Sequence, residues 1–297
     1  MEKQYEYVHE KFRHLVTASN QERIEFLDEP RWIGYAVANK IIDNLVSLMN
    51  KPKRPRMFNL LVVGDSNNGK TTLIRHFYDL YGESFVDSQS EGVRPIILAE
   101  APPSANEKEL YISLLERFYI PYRATDSIAK LRYQTIHLFR EYKVKMLIID
   151  EFHSLLVGTP RQQRQVMNAI KMLCNELQIP IVGVGTRDAI RVLHTDPQHA
   201  SRFDVAELPT WKLDKEFQKL LFQFQGILPL QKCSNLQSPE LATRIHTISG
   251  GNLGNVHRLL TACGVEAINT GTEQITLDII EHNAWVQPTQ GFRKIIG

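Results

Sequence analysis

The chain has only three cysteines, Cys174, Cys233 and Cys263, in 297 residues; they lie far apart and never in a C-x-x-C spacing. That excludes a disulfide framework and argues against a zinc site, so all three read as small core residues in a reducing compartment. No apolar run approaches the roughly 20 residues needed to cross a bilayer. The N-terminus, MEKQYEYVHEKFRHL, is charged throughout and lacks the apolar stretch of a signal peptide. A cytoplasmic protein without a membrane role is expected. Charge of one sign is also lacking: 35 Lys plus Arg against 33 Asp plus Glu leave +2, so any contact with nucleic acid must come from local clusters. Internal repeats and low-complexity tracts are absent as well.

What the chain does have is an ordinary apolar content, 43%, and a length that suits one large domain plus a small one. After a polar first thirty residues, PRWIGYAVANKIIDNLVSLMN predicts a helix with Val37, Ile41, Leu45 and Leu48 on one face. KPKRPR, with two prolines and four cations, ends it and acts as a hinge. Short, β-branched apolar runs then alternate with amphipathic helices. The runs are NLLVVG (59–64), RPIILAEA (94–101), KMLIID (145–150), PIVGVG (180–185) and FDVAEL (203–208); the helices fall near 71–81, 107–119, 127–142 and 161–177. This is the pattern of a five-stranded parallel sheet covered on both faces, an α/β domain. Beyond LPTW strand patterns stop, and four helices are predicted near 214–226, 239–249, 252–269 and 276–285, with Thr276 as N-cap of the last. The expected organisation is an N-terminal arm and helix at 1–56, the α/β domain at 57–208 and a helical domain with a tail at 209–297.

The chemistry concentrates at strand ends. GDSNNGKT, Gly64 to Thr71, fits G-x-x-x-x-G-K-[ST] between a strand and a helix, the context in which that spacing holds a phosphate. The backbone N–H groups of Gly64, Asp65, Ser66, Asn67, Asn68 and Gly69, with Lys70, Thr71 and Thr72 opening the helix, would wrap the phosphates of ATP. Lys70 would reach the β- and γ-phosphates and the Thr71 hydroxyl would ligate Mg²⁺. KMLIIDEFH puts Asp150 and Glu151 at the carboxyl end of a buried strand, where open α/β sheets bind their ligands. Asp150 suits the Mg²⁺ role and Glu151 the polarisation of water. DEFH also matches a helicase D-E-x-H, but no second helicase-type domain follows, and His153 reads as a local hydrogen-bonding residue. Thr186, ending PIVGVGT, is a candidate for the γ-phosphate or the attacking water. Arg202, in SRF just before the last strand, is a candidate finger supplied to a neighbouring subunit, the alternative being a surface ion pair.

With these residues in order, the chain resembles an AAA+ ATPase of the initiator-like branch: a P-loop domain followed by a small all-helical lid. More narrowly, RWIGYAVANKIIDNLVSLMNKPKRPRMFNLLVVGDSNNGKTTLIRHF, LIIDEFHSLLVG and GTRDA look like the TniB/TnsC family of bacterial transposon target-selection regulators, over roughly residues 28–265. The resemblance implies an ATPase that assembles as a ring or helical filament on double-stranded DNA, recruits a transposase and contacts a target-selecting partner. It also places residues around Pro30 to Tyr35 at the adenine pocket, with Trp32 or Tyr35 near the base; packing of the helix is their other role. Where many AAA+ lids carry an arginine that reaches the γ-phosphate, GGNLGNVHRLL has Gly254; Arg258, one turn later, either substitutes for it or is a lid surface residue. Lys108 and Arg187 are the DNA-contact candidates, with KPKRPR a further basic cluster, and no element resembles a major-groove reader, so recognition is expected to be sequence-independent. Two other outputs fit the same motifs: a nucleotide-gated DNA scaffold with little turnover, and a helicase loader or replication initiator.

Overall fold

The computed structural model of the chain describes residues 5–29, 31–123, 125–194 and 200–284. Two compact units make it up, residues 36–208 and residues 1–35 with 209–297. The segment expected as one N-terminal arm, 1–56, is therefore divided between them: helix α1 (Asn20–Asp28) groups with the helical unit, and α2 (Ala36–Met49) with the sheet.

In the sheet unit, α2 buries Ala38, Ile41, Ile42, Leu45 and Leu48. Val37, expected on that face, is 37% exposed: it stands in the first turn at the margin of the stripe, and Ile42 fills the opposite margin. β1 (Asn59–Gly64) leads through the phosphate loop into α3 (Lys70–Tyr81). A two-stranded antiparallel hairpin, β2 (Phe85–Val86) and β3 (Gly92–Val93), comes next, too short to leave an apolar pattern in sequence. Then follow β4 (Ile96–Glu100), α4 (Glu107–Glu116), α5 (Ile128–Glu141), β5 (Met146–Asp150), α6 (Pro160–Leu177), β6 (Ile181–Gly185), the short α7 (Ala189–Leu193) and β7 (Phe203–Leu208). The five-stranded sheet is parallel throughout, in the order β4-β5-β6-β1-β7. Every residue of β1 and β6 is buried, as strands covered on both faces must be, while three residues of the edge strand β7 are exposed.

The consequence of this order is that β1 is flanked by β6 and β7, not by its neighbours in sequence. Gly64 pairs with Leu208 and Val63 with Gly185, so the loops after β1 and β6 leave the sheet side by side, with that of β5 next to them.

The helical unit contains α8 (Lys215–Gln225), α9 (Pro239–Ser249), α10 (Leu253–Asn269) and α11 (Leu277–His282), beside α1 and a 3-10 helix at Glu10–Thr17. Phe217, Leu220, Leu221 and Phe224 form the buried face of α8, and Thr276 accepts the Ile279 N–H as N-cap of α11. α1 opens with a capping box between Ser19 and Glu22. Cys174 and Cys263 are buried as expected, but Cys233 is exposed, in the irregular stretch before α9, where its carbonyl accepts from Gln274.

The helical unit also holds an ion pair where apolar packing is the rule. The Arg23 guanidinium, 2% exposed, donates to both carboxylate oxygens of Glu273, at 2.6 and 2.7 Å, and to the carbonyl of Pro229. Burial by itself would raise the Glu273 carboxyl; the hydrogen bonds from Arg23 and from the Gln231 N–H outweigh it and hold the group below its ordinary value. Glu273→Ala leaves a buried charge unpaired and should cost about 3–5 kcal/mol in urea unfolding of the full chain. Because the folded carboxyl is depressed, its contribution is complete above the ordinary value of 4.5 and lost as pH falls through the lower folded value. Acid titration of stability should therefore show a larger loss below that pH in the native chain than in the variant.

Candidate nucleotide site

The loop between β1 and α3 turns on left-handed residues. Asn67 has φ 59°, and Gly69, the residue before α3, has φ 81°, a conformation that a side chain disfavours, so the chain can enter the helix with its free N–H groups facing the loop. The loop is also tied from below. The Asn68 amide, 2% exposed, donates to the carbonyl of Leu208 at 2.9 Å, at the end of β7. A Cβ on Gly64 would sit 2.9 Å from that same oxygen, so the absence of a side chain there keeps the acceptor available to Asn68.

The Lys70 ammonium donates to the carbonyls of Gly64 and Asp65, at 2.9 and 2.7 Å. Burial pushes its pKa below the ordinary lysine value, against the opposing pull of Glu151, Asp150 and Asp65. A cation half-withdrawn from water beside a loop of N–H groups is suited to a phosphate.

Asp150 divides its two oxygens. Oδ2 lies 3.2 Å from the Thr71 hydroxyl, which donates to it, and Oδ1 accepts the backbone N–H of Glu151 at 2.8 Å. That second bond holds Glu151 in a left-handed conformation, φ 53°, a strain of about 1–3 kcal/mol for a residue with a side chain. The turn aims the Glu151 carboxylate back over the loop, and His153 Nδ1 lies 3.2 Å from its Oε2. Ser66 to Thr72, Glu151, His153 and Thr186 line one cavity of about 330 Å³. The sheet thus brings together the phosphate loop, the adjacent acids and Thr186, from the ends of β1, β5 and β6. The donor set fits Mg²⁺: one hydroxyl and one carboxylate, both hard oxygens, leave most of the coordination sphere to phosphate and water, as that ion prefers. Among the described residues no cluster of three or more His, Cys, Asp or Glu offers an alternative metal cage.

Arg202 precedes β7 at the opposite end of the sheet; Nη1 donates to Asn175 Oδ1 on α6 at 2.8 Å, and Nε is buried without a hydrogen-bond partner. Arg187 faces Glu207 at 2.9 Å and Asp65 at 3.5 Å, so it is occupied by acids in this chain. Lys108, expected on a loop, is in the first turn of α4, where Asn106 caps its N–H. In the helical unit, Tyr35 is buried edge-on against Trp211, with ring centres 5.0 Å apart, and burial raises its hydroxyl to about 12. Trp32 lines a cavity with His9 and Phe222, and Arg258 an exposed groove with Asp28 and His257. Pro30 lies outside the described residues. The Asn68 tether to Leu208, the role of Asn175 and the placement of His153 on the cavity wall were not legible in the sequence, because each depends on a partner distant in sequence or on the turn at Glu151.

A parallel sheet with this strand order and a phosphate loop after its β1 defines a P-loop protein of the AAA+ fold. Solved structures agree: the chain resembles Cdc6p from Pyrobaculum aerophilum (TM-score 0.62, 16% identity, 87% of this chain and 69% of that one). It also resembles the Thermotoga maritima RuvB Holliday junction branch migration motor (0.52, 17%, 87% and 72%) and the Aeropyrum pernix ORC1 protein in complex with DNA (0.54, 14%, 88% and 68%). The family model for the bacterial TniB protein matches residues 23–213, well over half of the chain, which therefore belongs to the TniB family. Among the curated proteins, none matches it.

The tether of the loop to β7 is open to a direct test. Asn68→Ala leaves the Leu208 carbonyl buried without that donor and should cost about 1–3 kcal/mol of stability. A mobile loop should also bind nucleotide more weakly, which titration with a fluorescent ATP analogue measures; unchanged stability and affinity would show that the loop holds its shape without the tether.

Proposed function

We propose that the chain is an ATP-hydrolysing regulator of DNA transposition, which assembles through nucleotide-bound interfaces into a ring or helical filament on duplex DNA and there recruits a transposase, under the direction of a target-selecting partner. The observation that carries the assembly is the position of Arg202. It stands at the start of β7, whereas the phosphate loop stands at the end of β1, which pairs with β7 along its whole length. Six residues of strand amount to about 20 Å, too far for an arginine to reach its own nucleotide. An Arg202 that acts on ATP acts on the ATP of a neighbour.

In this reading, the loop and Lys70 bind the phosphates, and Thr71 and Asp150 would hold a Mg²⁺ that would supply charge neutralisation to them. Glu151 accepts the proton of the attacking water, Thr186 orients that water against the γ-phosphate, and the neighbour's Arg202 stabilises the transition state. DNA binding is supported by membership of the TniB family and by the likeness to the Aeropyrum pernix ORC1 protein, solved in complex with DNA. A second reading has one specific observation in its favour: α10 carries Gly254 in its first turn, where an AAA+ lid arginine is expected, and Arg258 is exposed one turn on. A scaffold that ATP locks and seldom releases would need no such arginine.

Arg202→Ala should lower ATP turnover about 10³-fold or more while leaving ATP affinity of the isolated subunit unchanged; normal turnover would remove Arg202 from the mechanism. Glu151→Gln should slow hydrolysis by about 10²-fold or more and hold ATP-bound assemblies on duplex, seen as persistent complexes by electron microscopy. Disassembly at the native rate would show that Glu151 is not the base, and very slow turnover by the native chain would favour the scaffold.

A further inference from the structure

The end of the sheet opposite the nucleotide site has a cleft of about 530 Å³, bounded by the hinge after α2, the turn between α5 and β5, and the turn between α6 and β6. Its ionisable lining residues are Lys51, Lys53, Arg140, Lys143 and Lys145; no acid lines it. Two of these cations are used locally: Arg140 faces Glu176, and Lys143 faces Asp87 and Glu91. Among the described residues, Lys51, Lys53 and Lys145, with Arg54 and Arg56 on the same hinge, make no ion pair. In a chain whose total charge is only +2, this concentration is local.

Cations often follow helices because they complement the C-terminal dipole, and Lys51, just past α2, and Lys143, just past α5, are placed to do so. That effect falls off within the last turn, and Lys53, Arg56 and Lys145 lie beyond it. The hinge is neither helix nor strand, and Pro52 and Pro55, which cannot donate to a sheet, keep it from being absorbed into one. Phe58, a large apolar ring, is 44% exposed, with Lys51 at 4.6 Å and Arg54 at 5.2 Å from its centre. The ring fixes two cations that no carboxylate fixes.

We propose that this cleft and hinge form a polyanion-binding surface, and that its partner is the phosphate backbone of duplex DNA. The inference rests on the DNA-binding part of the proposed function and adds a contact surface separate from Lys108 and Arg187. Lysines without an ion pair, an arginine-flanked ring and, among the described residues, no groove-reading element suit backbone contact without base reading.

The test is fluorescence anisotropy of a labelled duplex, with a slowly hydrolysed ATP analogue, for the native chain and for the triple variant Lys53→Ala, Arg56→Ala, Lys145→Ala across a salt series. All three side chains are exposed, and the strands separate them from the phosphate loop by about 17–20 Å, so nucleotide affinity should not change. The proposal expects affinity for duplex to fall about tenfold or more, and the slope of log K against log salt to shrink by about two to three. Native affinity and slope in the variant would overturn it and leave the cleft to an acidic protein surface. Loss of nucleotide-driven assembly in the absence of DNA would also overturn it, by making the patch a contact between copies of the chain. If the native chain itself fails to bind duplex at low salt, the DNA reading falls, and this inference with it.

Discussion

The sheet unit depends on one buried side chain, Asn59, at the start of β1. Its Oδ1 accepts the Ile181 N–H at 2.9 Å, in place of a backbone rung to β6, and the Cys174 thiol at 3.6 Å from α6. Its own N–H donates to the carbonyl of Arg202 at 2.9 Å, just before β7. One residue, 3% exposed, thus fixes the starting points of three adjacent strands and the helix over them. Because a one-residue slip in a strand reverses every side chain along it, register set at this end determines which residues emerge at the other. There the same three strands release the phosphate loop, Thr186 and Leu208, the last of which holds the loop through Asn68.

This geometry separates two tasks along the strands. At their carboxyl ends stand a phosphate loop, a carboxylate–hydroxyl pair and a strained glutamate. Their amino ends carry Arg202, the hinge and the cationic cleft. On the proposed function, each subunit offers a nucleotide from one end and an arginine from the other, so that ATP is held at a junction between copies. The Asn175 bond gives Arg202 a defined position within the chain, and exchanging that bond for a phosphate is an exchange of one polar partner for another. With Gly254 where many AAA+ lids carry an arginine, the proposed function expects turnover to suffer before assembly does.

Much of this is readable from the chain, and the limits have physical causes. The strands announce themselves because burial on both faces demands unbroken apolar runs, and the phosphate loop and the adjacent acids are contiguous motifs. The run at 94–101 begins pairing only at Ile96 because Pro95 has no N–H to give; its carbonyl instead receives the N–H groups of Lys145 and Met146. The helix expected to reach 119 stops at Glu116, since the chain turns left-handed at Tyr119, φ 56°. α1 escapes notice because Leu27 is its only buried apolar residue and its other buried side chain is Arg23, whose partner is 250 residues away. Asn68 to Leu208 spans 140 residues and Arg202 to Asn175 spans 27, with β6 and α7 between them, and no periodicity encodes such pairs.

The central claim is that the ATP site is completed by a second copy, and mixing two disabled chains tests it most directly. A Lys70→Ala chain cannot hold ATP but keeps Arg202, whereas an Arg202→Ala chain holds ATP but has no finger to give. Each alone should be inactive. Combined on duplex DNA, interfaces that join the nucleotide of one to the arginine of the other should restore measurable hydrolysis, rising to a maximum at intermediate ratios. A mixture as inactive as its two components would contradict the account.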